Sequence, residues 1–182
     1  MSTKSSGTIL AGESRPEGRG AGMAPRKERM KSPILQLPKS LEAVNAMVAA
    51  AQESGVAWKT LHLVHVRVSQ INGCGYCVDS GSRHARHAGE TDQRLFAVAA
   101  WRDTPYFSEA ERAALELSEA VTRLSDRPDP VPDALWDNAR KHYSEQELSG
   151  LILWVATVNV FNRVNVTTRL VAGTPMPWDK AA

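Results

Sequence analysis

The chain of 182 residues has the length of one domain, with or without a tail, and 42% of its residues are hydrophobic, which is enough for a core. Its formal net charge of +2 is unevenly distributed, because residues 1–40 carry eight Lys and Arg against three Glu, while the remainder is mildly acidic. The remainder therefore lacks the basic surface of a nucleic-acid-binding domain, and we expect no nucleic-acid partner.

The N-terminal segment is rich in Gly, Ser, Glu, Arg and Lys. Such a composition cannot bury enough apolar surface to order itself, so it predicts a disordered basic tail (or an over-called start codon) at 1–32 and a folded domain at 33–182. The tail has no apolar run of signal-peptide length. The most apolar run, which begins at Leu151, is about half of the roughly 20 residues that span a bilayer. We therefore expect a cytoplasmic protein with no membrane partner.

The first half of the domain is predicted to be helical, because apolar residues recur at helical spacing and no alternating strand pattern is flanked by hairpin turns. Ser40 is the predicted N-cap of the first helix, which ends near Gly55. The second helix is predicted from Trp58 to Ile71. A third helix begins at the cysteine pair and ends at Gly89.

The second half continues the helical pattern. Thr91 starts a helix that ends before Pro105. Ser108 and Ser144 each open a Ser-x-x-Glu capping box and start further helices. A proline-rich connector lies between these two, and Pro132 suits the first position of a short helix. The last helix is the longest and is predicted to end near Gly173. The predicted fold class is thus all-α, a helical bundle.

The two cysteines of the chain, Cys74 and Cys77, form a Cys-X-X-Cys pair at the predicted start of a helix. One helical turn separates the sulfurs, so they are close enough to form a disulfide. The unpaired N–H groups and partial positive charge of a helix N-terminus stabilise a thiolate, the reactive form of cysteine. Zinc needs about four ligands, and no second Cys pair completes a ribbon or finger. The pair therefore indicates redox chemistry, and two inert core cysteines are the alternative.

The run from Ser69 to Asp79, SQINGCGYCVD, resembles the core motif of the alkylhydroperoxidase D-like, or carboxymuconolactone decarboxylase, family. Segments at 88–91, 99–105 and 159–166 also resemble that family, and the resemblance covers most of the domain. It implies an all-α fold and a homo-oligomer, a trimer or hexamer.

The resemblance further implies thiol-dependent reduction of a hydroperoxide. Cys77 would form the sulfenic acid, and Cys74 would resolve it as a disulfide. Helix position alone suggests the opposite assignment, because the thiol nearer the N-terminus is usually the more activated one. A dithiol donor, a lipoyl or thioredoxin-like protein, would reduce the disulfide, and no other cofactor is implied.

The resemblance also implies two proton-relay residues, a Glu twelve residues before the first Cys and a His four residues after the second. These positions hold His62 and Gly81. His84 lies three residues after Gly81, on the same face of the predicted helix, and Gly81 leaves room for it. We therefore hypothesise a catalytic relay of His62 and His84, since histidine titrates near working pH.

Two alternatives remain open at this point. The first is a zinc or copper site, because two His pairs at i,i+3 spacing lie close in sequence to the cysteines; its candidate ligands are His62, His65, Cys74, Cys77, His84 and His87. The second is a non-enzymatic scaffold or binding protein that has lost the relay. Decarboxylation of a muconolactone is the least favoured reading, because that branch of the family does not depend on a Cys pair.

Overall fold

The computed structural model describes residues 27–176, which form eight α-helices and two short 3-10 helices without any strand. The predicted all-α fold class is confirmed. The helices are α1 (Pro33–Gln36), α2 (Pro38–Gln52), α3 (Trp58–Ile71), α4 (Gly75–His87), α5 (Asp92–Ala97), α6 (Glu109–Thr122), α7 (Asp133–Arg140) and α8 (Glu145–Thr168), and the 3-10 helices are Val98–Asp103 and Leu124–Asp126.

Helix α3 is the centre of the bundle and packs against α4, α6 and α8. One of its faces, formed by Leu61, Val64 and Val68, enters the core shared with α6, α7 and α8. Another face, formed by Leu63 and Val66, enters a second core shared with α4, α5, α6 and the first 3-10 helix. All five side chains are at most 1% exposed. Because both of these faces are apolar and buried, the polar residues of α3 share what remains of its surface.

The sequence predicted some helix starts and missed others. The capping boxes at Ser108 and Ser144 are both confirmed. The prediction for Ser40 is wrong, because α2 begins at Pro38, whose missing N–H costs nothing in the first turn of a helix. Pro132 is the residue before α7 rather than its first helical residue.

Two predicted helix ends also differ. The helix predicted from Thr91 to Pro105 is α5 followed by a 3-10 helix, and the guanidinium of Arg112 donates to the carbonyl oxygens of Arg102 (3.3 Å) and Thr104 near the end of that segment. Helix α8 ends at Thr168, before the predicted Gly173, because Arg169 adopts a left-handed conformation with φ of 58°.

The predicted boundary at residue 32 stays a prediction, since most of the predicted tail (1–26) lies outside the described residues. Within the described part, Arg29 donates from its backbone N–H to the carbonyl of Thr168 at 2.8 Å, and its guanidinium donates to the carbonyl of Thr167 at 3.0 Å. No helix within residues 27–176 is long and apolar enough to cross a bilayer.

Helix α8 passes very close to the end of α2 at Gly150. A Cβ atom added there would lie 2.1 Å from the Oγ and 2.2 Å from the Cβ of Ser54. We expect Gly150→Ala to lower the free energy of unfolding by about 1–3 kcal/mol through overpacking. Gly75→Ala is the matched control, because a Cβ at Gly75 meets nothing within 4 Å, so no loss from overpacking is expected there. Urea unfolding of the oxidised protein measures both, and equal stabilities for the two variants would contradict this packing.

Candidate functional site

The cysteine pair lies at the junction of α3 and α4, as predicted, and is oxidised to a Cys74–Cys77 disulfide. Cys74 is the N-cap of α4, and its Sγ accepts a hydrogen bond from the backbone N–H of Cys77 at 3.3 Å. The backbone N–H of Cys74 donates to the carbonyl of Ser69 at 3.0 Å, which closes the turn between the helices. Gly73 makes this turn with a φ of +65°, a conformation that few other residues adopt without strain. Both cysteines are 2% exposed.

Buried amides of α8 hold this turn in place. Asn165 donates from Nδ2 to the Sγ of Cys77 at 3.4 Å. Asn162 donates from Nδ2 to the hydroxyl of Ser69 at 3.1 Å and accepts from the amide of Asn72 at 2.8 Å. Asn162 and Asn165 are 1% and 3% exposed. Sequence reasoning did not select Asn165 as a site residue, although its amide between Val164 and Val166 was an available signal.

A cavity of about 230 Å³ opens beside Cys77, enclosed by α2, α3, α4 and α8. Three imidazoles line it, those of His62, His65 and His84. The rest of its wall is mainly apolar or aromatic, including Leu41, Val48, Trp58, Tyr76, Trp154 and Phe161. The predicted pair of His62 and His84 thus reaches the same cavity as Cys77, together with a third histidine.

His62 stacks on the indole of Trp58, with ring centroids 5.0 Å apart. Its Nδ1 is buried and has no hydrogen-bond partner among the described residues. Burial lowers the pKa of His62, nearby His84 lowers it further, and Glu90 partly opposes both effects. The neutral imidazole is therefore the favoured form.

His65 occupies the space next to Gly81. A Cβ atom at Gly81 would lie 3.3–3.4 Å from three atoms of the His65 ring. The sequence predicted that Gly81 makes room for His84, but the atoms nearest to position 81 belong to His65, because α3 packs directly against α4 there. Burial lowers the pKa of His65 to about 4, with smaller effects in the same direction from His62 and His84.

A second groove lies on the other side of the disulfide. Cys74 lines it together with residues of the α3–α4 turn and of the segment that follows α8, namely Gly73, Gly75, Arg169, Leu170, Val171 and Ala172. Cys77 does not line this groove, and Cys74 does not line the cavity. The two cysteines therefore line different openings.

Comparison with known proteins identifies the family. Residues 38–120 match the model of the carboxymuconolactone decarboxylase family. The uncharacterised protein YdfG of Bacillus subtilis (strain 168) is 36% identical over 129 residues, which cover 71% of this chain and 86% of YdfG. The chain belongs to the carboxymuconolactone decarboxylase family.

Two further relatives of this family member agree with the assignment. The uncharacterised protein YnjA of Escherichia coli (strain K12) is 37% identical over 103 residues, or 57% of this chain and 55% of YnjA. The crystal structure of ATU0492 from Agrobacterium tumefaciens, a protein of unknown function described in connection with the antioxidant defence protein AhpD, superposes with a TM-score of 0.75 at 31% identity. It covers 82% of this chain, and the match spans 100% of that chain. The predicted AhpD-like fold is therefore confirmed.

The metal-binding alternative finds no support in the geometry of this family member. No group of three or more His, Cys, Asp or Glu side chains within residues 27–176 is arranged to hold a metal ion. His87, one of the candidate ligands, is exposed and does not line the cavity. Cys74 and Cys77 are joined to each other.

The lowered pKa of His65 makes stability depend on pH. An unfolded histidine titrates near 6.5, whereas folded His65 titrates near 4, so between these values the unfolded state binds a proton that the folded state does not. We expect stability to fall as the pH is lowered from about 6.5 to about 4, by about 1.4 kcal/mol for each pKa unit of difference. His65→Gln removes this contribution, so its unfolding free energy changes less with pH.

Urea unfolding at several pH values between neutral and mildly acidic measures this dependence. His142→Gln is the control, because His142 is exposed and lies outside the cavity. Equal pH dependence in His65→Gln and in the unaltered protein would show that His65 is not held in the neutral form by folding.

Proposed function

We propose that this chain is a thiol peroxidase that reduces organic hydroperoxides through a Cys74/Cys77 dithiol–disulfide cycle. The observation that carries the proposal is the position of Cys77, which lines a mainly apolar cavity with three imidazoles and is joined by a disulfide to Cys74, a residue that lines a separate groove. A thiolate is the nucleophile toward peroxides, and a neighbouring resolving thiol traps the sulfenic acid before it is oxidised further. Family membership and the likeness to ATU0492 support the same reaction class.

The cycle consumes one hydroperoxide and two thiols. The Cys77 thiolate attacks the outer oxygen of the peroxide, so that an S–O bond forms, the O–O bond breaks and the alkoxide leaves as an alcohol after taking a proton. Cys74 then attacks the sulfenic sulfur, which forms the S–S bond and releases water. The peroxide has gained two electrons, and the cysteine pair has lost them.

The two sides of the disulfide support these roles. Asn165 directs its amide N–H at the Sγ of Cys77, and a hydrogen bond to a thiolate stabilises the charged form. The argument from helix position, which favours Cys74 as the nucleophile, is outweighed by access, because only Cys77 lines the cavity. A lipoyl or thioredoxin-like dithiol would attack the Sγ of Cys74 from the groove near Arg169 and release Cys77 as a thiolate.

A homo-oligomer and a cytoplasmic location remain parts of the proposal. Helix α8 presents exposed apolar side chains, Ile152, Leu153 and Val160, each 37–40% exposed. Exposed apolar side chains of this kind suit a contact with another subunit.

Hydroperoxide consumption by the reduced protein tests the proposed cycle. We expect about one equivalent to be consumed without a donor and many with a dithiol donor, by the stoichiometry above. Cys77→Ser should consume none. Cys74→Ser should consume about one equivalent and then turn over far more slowly, because its sulfenic acid has no resolving thiol. An inactive unaltered protein with two titratable thiols would refute the peroxidase and favour a scaffold or binding role.

The relay of His62 and His84 has its own test. We expect His62→Ala and His84→Ala each to slow turnover by up to about 10²-fold or more, the loss that is typical when acid–base assistance is removed. Each variant should also change the pH profile of turnover. His142→Ala, which alters an exposed histidine outside the cavity, should turn over at the normal rate. Unchanged rates and pH profiles in both cavity variants would show that neither histidine takes part.

A further inference from the structure

We propose that His65 is a further proton-transfer group for Cys77, beside the relay of His62 and His84: it accepts the thiol proton and returns it to the departing alkoxide. The inference deepens the proposed peroxidase function and rests on it. His65 and Cys77 line the same cavity, and the His65 ring fills the space next to a glycine on the helix that carries Cys77.

The position of Gly81 places the His65 ring relative to Cys77. Residues four apart on a helix lie on the same face, so position 81 is one turn beyond Cys77 on the same face of α4. The Cε1, Cγ and Cδ2 atoms of His65 lie 3.3–3.4 Å from the place of a Cβ atom at residue 81. The imidazole from α3 would therefore be in close contact with a Cβ atom at residue 81. A side chain at 81 would fit only if the ring shifted by a few tenths of an ångström.

The surroundings of His65 fix the orientation of the ring. It packs edge-on against Trp154, with centroids 6.1 Å apart. Trp154 is 6% exposed and donates from Nε1 to the carbonyl of Leu61 at 2.7 Å, so this wall of the cavity is itself fixed. A ring held between a tryptophan and a helix backbone has little freedom to turn away from the cavity.

The charged and titratable groups around His65 favour a neutral ring before reaction. His62 on α3 and His84 on α4 are the imidazoles that act on it, and Glu90, which follows α4, acts on His62. The facing residue of α8, Trp154, carries no charge. A neutral imidazole can accept the proton of Cys77 as the S–H bond breaks. The thiolate formed in that step then stabilises the imidazolium, which gives up the proton to the alkoxide when the O–O bond breaks.

Alkylation of Cys77 tests proton transfer without relying on peroxide turnover. In a Cys74→Ser background, Cys77 is the single thiol, and the rate of its reaction with iodoacetamide against pH reports its apparent pKa. We expect His65→Gln to shift that profile to higher pH and to slow peroxide turnover in the two-cysteine protein by about 10²-fold or more. Glutamine keeps much of the volume and hydrogen-bonding capacity of the ring but cannot carry a proton, so a purely structural role would leave both readouts unchanged.

An exchange of positions provides the second test. His65→Ala combined with Gly81→His moves the imidazole to α4 in the space that the old ring vacates. We expect this double variant to turn over at least tenfold faster than His65→Ala. His142→Gln should turn over at the rate of the unaltered protein. A normal alkylation profile and normal turnover in His65→Gln would overturn the proposal. It would also be overturned if the double variant unfolds cooperatively, and so is folded, but turns over no faster than His65→Ala.

Failure of the peroxidase proposal would look different. In that case the unaltered protein consumes no hydroperoxide, yet the alkylation profile of Cys77 still shifts in His65→Gln. That result would keep His65 as the proton acceptor of Cys77 and would remove the peroxide as the substrate.

Discussion

The burial of α3 on two faces is the constraint on which the rest of the structure depends. Leu61, Val64 and Val68 enter one core, and Leu63 and Val66 enter the other. At 100° per residue these faces leave a strip for His62, His65 and Ser69, which recur at i, i+3 and i+7. This strip faces the cavity and the turn before α4. The hydrophobic pattern of one helix therefore determines where the imidazoles and the cysteine pair meet.

The position of helix α8 along α3 and the α3–α4 turn is the second constraint on the site. The buried amides of α8 oppose any sliding, since a buried polar group without a partner costs about 1–3 kcal/mol. Asn162 reaches Ser69 and Asn72, and Asn165 reaches the sulfur of Cys77. The same amides that position α8 also direct an N–H group at the sulfur that faces the cavity.

Local signals in the sequence were sufficient for much of the fold. The bounds of α3 and the capping boxes of Ser108 and Ser144 depend on neighbouring residues, and all were predicted. The start of α2 was missed because Pro38 and Ser40 are both suited to the start of a helix. Which of them begins α2 depends on how α1 leads into that helix.

The site was predictable only in part for a related reason. Cys74 and Cys77 are three residues apart, so their disulfide could be inferred from spacing. The contact between His65 and Gly81 joins two helices, and helical periodicity within one segment cannot show which residues face each other across them. The available hint was Gly81 itself, because a glycine inside a helix costs about 0.5–1 kcal/mol relative to alanine and often marks a close approach. The hint identified the gap but not the ring that fills it.

The three imidazoles limit how much charge the cavity can hold. Burial and mutual repulsion lower the pKa of His62 and of His65, so a proton on one ring makes a proton on the next less favourable. The first negative charge to form there, a thiolate at Cys77, would compensate one imidazolium and no more. In the proposed mechanism, such a cavity would hold a single proton while the thiolate exists and would release it when that charge is lost. The proposed reaction needs this capacity, since one proton leaves the thiol and one reaches the alkoxide in each turnover.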